Sequence, residues 1–252
     1  MTQTADERRA AMARARERRE VELVAREALA PGVARFVFEL RAGEPLHASP
    51  GQYVNLFLGP DEGLSRSYSL SALGTARGDR FELGVTRVEG GEGSTALHDL
   101  EVGARIRLDG PWGVFTHERA APDAPRLYVA TGTGLTPIRA MLERDLASPD
   151  GPPVTLLFGC RRAEDRLWPE AFQALADALP RFRYEVTLSR PDDGWGGRRG
   201  YVQAHLAEVL ARFDEPPHAF VCGLRRMIDA VRAELKEAHG FHRKRIHTER
   251  YD

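Results

Sequence analysis

Residues 126–142 read RLYVATGTGLTPIRAML, and this stretch decides the fold. Leu127 to Ala130 is a short apolar run of strand length, followed by glycines at 132 and 134. A helix is expected to start near Ile138, with Pro137 in its first turn, where a missing N–H costs little. Glycines between a strand and a helix let the backbone approach a ligand closely. The loop is not the GxGxxG of dehydrogenases, because Pro137 stands where the third glycine belongs. The acidic ribose partner expected after the next strand is replaced by Cys160-Arg161-Arg162.

Downstream of this stretch, strands and helices alternate. Residues 154–158, 183–188 and 219–222 read as strands, and Phe172, Leu175, Ala176 and Leu179 fall at helical spacing after Pro169. Met227, Val231 and Leu235 line another helix, which Gly240 is placed to end. The alternation predicts a Rossmann-like parallel sheet with helices on both faces.

Upstream, residues 117–125 (HERAAPDAP) are polar and proline-rich and read as a linker. From Val21 to Phe115 the period changes to two, in Phe36/Phe38/Leu40, Phe81/Leu83/Val85 and Ile106/Leu108. Pro31-Gly32, Pro50-Gly51, Gly59-Pro60, Gly90-Gly91 and Gly110-Pro111 break the runs. Short strands with turns between them predict an antiparallel Greek-key β-barrel. The expected layout is a polar extension over 1–20, a barrel over 21–116 and an α/β domain over 125–252. The extension carries six arginines and four acids, Asp6, Glu7, Glu17 and Glu20, and is a poor transit peptide.

The bulk figures exclude several classes. A formal net charge of −1 gives no overall pull toward nucleic acid or membrane. No apolar run approaches spanning length and no signal peptide is visible, so a cytoplasmic location is expected. The two cysteines, Cys160 and Cys222, form no CxxC pair and cannot supply the about four thiolates of an iron–sulfur cluster. No metal is expected. His239, His242 and His247 have irregular spacing and read as surface histidines.

Two segments of the barrel region carry anion and ring chemistry. In Arg66-Ser67-Tyr68-Ser69, Arg66 and Tyr68 share one face of an extended stretch and Ser69 lies at the next step. An ordinary polar strand with one buried tyrosine has the same pattern. Residues 90–100 (GGEGSTALHDL) put Gly93, Ser94 and Thr95 at the start of a short helix, where free N–H groups favour phosphate. A capped loop, with Ser94 satisfying the helix start, fits equally well.

Taken in order, these segments resemble the ferredoxin–NADP reductase superfamily over roughly residues 20–252. Arg66-Ser67-Tyr68-Ser69 is similar to its RxYS flavin motif, Gly93-Ser94-Thr95 to its second pyrophosphate segment, and Gly110-Pro111-Trp112-Gly113 to its GPxG. Gly132 to Pro137 resembles the nicotinamide-domain loop, Val221-Cys222-Gly223 the late cysteine–glycine pair, and Glu249-Arg250-Tyr251 the terminal ExY of the plant-type branch. Asp252 after the aromatic residue departs from that branch.

The resemblance implies a reductase that binds FAD and NADPH or NADH. Arg66 would bind the flavin pyrophosphate with backbone groups of Gly93, Ser94 and Thr95. Tyr68 would stack on the ring, and Ser69 would contact its N5 region. Thr133 and Gly134, ahead of Pro137, would hold the nicotinamide nucleotide's pyrophosphate. Cys222 would lie beside the hydride-donating carbon, Glu249 would relay a proton toward Ser69, and Tyr251 would cover the other flavin face. Cys222 also fits a small buried residue at a strand end.

Residues 187–202 (TLSRPDDGWGGRRGYV) carry the choice of nucleotide. Ser189-Arg190 resembles the family's NADP-binding pair, with Arg198 as a second guanidinium suited to a 2′-phosphate. Asp192 and Asp193 oppose extra phosphate, and the WxGxxGYV stretch 195–202 is similar to that of NADH-using oxygenase reductases. The pair favours NADPH. The expected partner is a separate one-electron carrier, a ferredoxin, flavodoxin or oxygenase, met by a monomer, with Arg243-Lys244-Arg245 available to dock an acidic surface. A flavin-binding electron-transfer subunit without turnover of its own, and a reductase of small acceptors, remain as alternatives.

Overall fold

Alternation along residues 33–40 and 80–86 puts Phe36 opposite Leu83 and Phe38 opposite Phe81 in an antiparallel pair. All four are fully buried, and the Phe38 and Phe81 rings stack at 5.5 Å. This pair is the apolar seed of a six-stranded unit in the computed structural model, which describes residues 12–13, 15–41, 45–59, 61–74 and 78–251. Most of the polar extension, including Asp6 and Glu7, lies outside the described residues, as do Pro60 and Asp252.

The strands are β1 (Arg19–Ala30), β2 (Val33–Leu40), β3 (Tyr53–Leu58), β4 (Leu64–Ala72), β5 (Arg80–Thr86) and β6 (Arg105–Trp112). They close a barrel in the order β1-β2-β5-β4-β3-β6, the out-of-sequence order expected of a Greek key. Gly32, at φ 71°, makes the tight turn between β1 and β2. Between β5 and β6 runs a short helix, α1 (Glu92–His98). Its Leu97 is fully buried in the barrel core, and His98 sets its ring edge-on to Phe36 with Nε2 3.0 Å from the Val85 carbonyl.

A second unit begins at Phe115. It contains β7 (Arg126–Thr131), α2 (Leu135–Asp145), β8 (Val154–Cys160), α3 (Pro169–Ala178), β9 (Phe182–Leu188), β10 (Arg198–Arg199), α4 (Leu206–Leu210), β11 (His218–Gly223), α5 (Arg225–Ala233) and β12 (Ile246–Arg250). The sheet order is β10-β9-β8-β7-β11-β12, and every pairing is parallel. The apolar runs of β7 and β8 are those of strands covered on both faces. On one face Leu206, Val209, Ile228 and Val231 pack on Leu127, Val129, Ala219 and Val221. On the other, Tyr128 donates to Asp145 of α2 at 2.5 Å, and Phe172 of α3 lies 5.4 Å from Tyr184.

Two local expectations shift. The first nucleotide-domain helix starts at Leu135, because Gly132–Gly134 already forms a 3-10 turn that feeds it. The proline-rich segment 117–125 is tied into the second unit. Arg126 donates to the carbonyls of Ala121, Pro122 and Ala124 and pairs with Asp145 at 3.2 Å.

Candidate active site

Strand β4 delivers the RxYS side chains. Arg66 lies opposite Leu56, Tyr68 opposite Val54 and Ser69 opposite Tyr53. Val54 and Leu56 are fully buried, so Arg66 and Tyr68 leave the strand on the barrel's inner side and Ser69 on the outer. Tyr68 packs on the barrel core, and burial pushes its phenol up to about 12 against the pull of the Arg66 charge. The Arg66 stem crosses the start of α1, where a Cβ on Gly93 would lie 2.4 Å from Arg66 Cγ. Its half-exposed guanidinium reaches Glu92 at 3.8 Å and the Ser65 carbonyl at 2.8 Å.

The N–H groups of Gly93 and Ser94 belong to the first helical turn and have no intrahelical acceptor. Thr95 differs, because its N–H already donates to the Gly91 carbonyl at 3.0 Å. Ser94 makes no side-chain cap on the helix, whose N-cap is Gly91. The hydroxyl instead accepts from Val88 N at 3.0 Å and donates to the Gly91 carbonyl at 3.1 Å, which ties off the loop before the helix. A guanidinium, two open amides and a half-covered aromatic ring fit the charge and flat surface of a flavin dinucleotide. Glycine at 93 is the residue that leaves room for Arg66.

A second cradle forms at the C-terminal ends of β7, β11 and β12. A Cβ on Gly134 would lie 2.3 Å from the Cys222 carbonyl oxygen, and one on Gly223 (φ 146°) 2.3 Å from Thr131 Oγ1. The two glycine motifs therefore interlock backbone to backbone. Cys222 is fully buried and lies between Ala130 and Glu249 in register. Burial holds its thiol well above the ordinary range, and the Glu249 charge adds to the effect. Tyr251 donates its N–H to the Gly223 carbonyl at 3.3 Å and is 37% exposed. Pro137 is buried in the first turn of α2, and Thr133 is half-buried in the turn before it. The strand order reverses between β7 and β11, the place where open α/β sheets bind ligands.

Residues 20–117 match the family described as oxidoreductase FAD-binding domain, and residues 128–233 match the oxidoreductase NAD-binding domain. The chain is 45% identical over 239 residues to ferredoxin–NADP reductase B of Sorangium cellulosum, covering 92% of this chain and 97% of that protein. The chain belongs to the ferredoxin–NADP reductase family. This reductase is also 34% identical to the reductase component DmpP of phenol 2-monooxygenase from Pseudomonas sp. strain CF600, over 84% of its own length but 60% of the relative's. Among solved structures it resembles the Amycolatopsis cytochrome P450 reductase GcoB, at 29% identity and a TM-score of 0.81 over 93% of this chain and 69% of that one. The matched domains make it an oxidoreductase that uses FAD and a nicotinamide nucleotide.

In this reductase the loops after β8 and β9 line an open pocket of about 450 Å³, formed by Arg162, Ala163, Glu164, Arg190, Pro191 and Asp192. Backbone bonds from Ser189 N to the Cys160 carbonyl (3.0 Å) and from Arg190 N to the Arg161 carbonyl (2.8 Å) hold the two loops together. Arg198 is engaged elsewhere. Its Nε donates to Glu185 at 2.9 Å and its terminal nitrogens to Glu208. A 2′-phosphate would have to compete with those two carboxylates for its donors.

Two further expectations change. Arg243-Lys244-Arg245 forms a 3-10 turn at the start of β12, and Arg245 donates to the Pro216 carbonyl. Parallel strands place that turn at the end of the sheet away from Cys222 and Glu249. His247 is not a surface histidine. It is 6% exposed, accepts at Nδ1 from Arg119 Nε (3.1 Å) and meets His218 Nδ1 through Nε2 (3.1 Å). Among the described residues no cluster of histidine, cysteine and carboxylate side chains is arranged to hold a metal, and no helix is long and apolar enough to cross a membrane.

Two residues of interest escaped the sequence reading. Thr131 carries a buried hydroxyl with no hydrogen-bond partner among the described residues, at the seam between Gly134 and Cys222. Arg162 lines the same pocket as Arg190, and the only sequence signal was the absence of an acid at the end of β8.

Proposed function

We propose that this chain is an NAD(P)H-dependent flavoprotein reductase that passes electrons to a separate ferredoxin, flavodoxin or oxygenase. The observation that carries the reading is the match to ferredoxin–NADP reductase B along nearly its whole length. Residues 21–116 form the FAD domain and residues 125–252 the nicotinamide domain. A bound flavin would supply the chemistry that converts the electron pair of a nicotinamide hydride into single electrons for a carrier.

The chain's own residues prepare that exchange. Arg66 neutralises the flavin pyrophosphate, helped by the amides of Gly93 and Ser94 and the hydroxyl of Thr95. Tyr68 gives the ring a flat, half-dry seat, and Ser69 supplies a hydroxyl at its polar edge. Gly134 and Thr133 let the nicotinamide pyrophosphate sit close to the start of α2. Cys222 keeps water from the nicotinamide carbon, Glu249 carries a proton on its carboxylate, and Tyr251 occupies the nicotinamide place until the nucleotide enters.

Ser189, Arg190 and Arg162 favour NADPH through its 2′-phosphate, with Glu164 and Asp192 keeping the selectivity moderate. Those same two carboxylates support a second reading, an NADH-dependent oxygenase reductase. The two free cysteines suit a reducing cytoplasm.

An anaerobic absorbance experiment tests the reading. The purified chain is expected to show bound FAD that NADPH bleaches faster than NADH. Faster bleaching by NADH would favour the oxygenase-reductase reading. Bound flavin that neither nucleotide bleaches would reduce the chain to an electron-transfer subunit.

A further inference from the structure

Strand β6 changes step beside the RxYS segment. Asn55 of β3 faces Asp109, but Tyr53 faces Trp112, so Gly110 and Pro111 together lie opposite Val54. Without this bulge, residues three apart such as Asp109 and Trp112 would point to opposite faces. With it, both lie on the outer face with Asn55 and Tyr53.

Ser69 also faces Tyr53, so Ser69, Tyr53 and Trp112 form one row across β4, β3 and β6. Neighbouring side chains in such a row stand within contact of each other, so Tyr53 neighbours both Ser69 and Trp112. The next row is Ser67, Asn55 and Asp109.

Hydrogen bonds join the two rows at one atom. Ser67 Oγ donates to Asn55 Oδ1 at 2.7 Å, and Asn55 Nδ2 donates to Asp109 Oδ1 at 2.7 Å. Trp112 Nε1 donates to the same Asp109 oxygen at 2.7 Å. Gly110, at φ 125°, is required at the bulge, since a Cβ would lie 3.2 Å from Tyr53 O and from Val54 Cα. Arg19 caps the Gly110 carbonyl at 2.8 Å, and Gln52 donates to the Gly113 carbonyl at 3.2 Å.

The geometry points to Asp109 as a positioning residue of the flavin site: it locks the bulge that turns Trp112 into the row of Tyr53 and Ser69. This rests on the reading of Arg66, Tyr68 and Ser69 as the flavin strand. A carboxylate suits the task because one oxygen can accept from both an amide and an indole. Trp112 and Tyr53 then wall the side of the site that Ser69 opens onto, and the Asn55–Ser67 bond holds β4 in register.

Titration of apo-protein with FAD, followed by flavin fluorescence and by visible circular dichroism of the bound flavin, tests this. Asp109→Ala is expected to raise the FAD Kd about tenfold, the scale of one lost bond to a charged acceptor, and to change the dichroism. Asp109→Asn keeps an oxygen that accepts both N–H groups, so it should bind within about twofold of wild type with the wild-type spectrum. Trp112→Phe keeps a ring without the N–H and should shift both readouts in the direction of Asp109→Ala by about threefold. If Asp109→Ala does not fold, Trp112→Phe carries the test. Wild-type affinity and dichroism in whichever variant carries it would overturn the inference alone. Wild-type protein that takes up no FAD would overturn the flavin-strand reading and this inference with it.

Discussion

The thiol of Cys222 is fully buried, and its pKa lies well above the ordinary range because of that burial and the Glu249 charge. Such a thiol is inert as a nucleophile, so its proposed part is to shape the space beside the nicotinamide. Cys222→Ala should slow flavin reduction by about tenfold, roughly 1.4 kcal/mol of barrier, and leave the nucleotide Kd within about twofold. Anaerobic stopped-flow reduction measures both, and an unaltered rate would remove Cys222 from the site. Cys222 and Gly134 were legible in the sequence because each stands in a short motif whose spacing survives out of context. Thr131 was not, since its enclosure comes from Gly223, far along the chain. The engagement of Arg198 was not legible, because a sequence displays a donor but not its commitments, here Glu185 and Glu208.

Those three charges act with Arg212 at the level of elements. Glu185 on β9 bridges Arg198 of β10 and Arg212, and Glu208 of α4 closes the ring by meeting both arginines. Arg198 and Glu185 side chains are 16% and 19% exposed, so that pair is shielded more than an ordinary surface pair, while Glu208 is open to solvent. Glu185→Gln should cost about 1–2 kcal/mol, a fall in Tm of a few degrees, and the loss should shrink at high salt. Thermal melts at two ionic strengths check this, and a salt-independent Tm change would show that the pairing contributes little. The main strands were readable from period and apolar length alone. β10 was not, because two residues carry no periodicity and its place depends on a loop returning to Thr187 and Leu188. The start of α2 was missed by three residues because a 3-10 turn of glycines has no apolar face to reveal it.

At the scale of the molecule, three half-buried histidines and the buried His247 bear on acid stability. His98, His117, His218 and His247 are all pushed below the ordinary value of 6.5, chiefly by burial, and His247 falls to about 4. Its neighbours His218 and Arg119 oppose its charging further. A folded pKa below the unfolded one means the unfolded chain takes up more protons. Their contribution to stability is complete above about pH 6.5 and is lost as pH falls toward 4. Tm should decline over that window, and His247→Gln, which still accepts from Arg119, should flatten part of the slope. An equal slope in the variant would assign the acid sensitivity to other groups. Strand order has a consequence for biosynthesis. The barrel's closing partners, β1 and β6, have both left the ribosome once Trp112 emerges, so that unit can complete its hydrogen-bonded ring early. In the parallel sheet, β7 is made first but its second neighbour, β11, comes after β8, β9 and β10. The nascent chain therefore carries an open, apolar strand edge through most of the synthesis of that unit, the interval in which aggregation has to be held off.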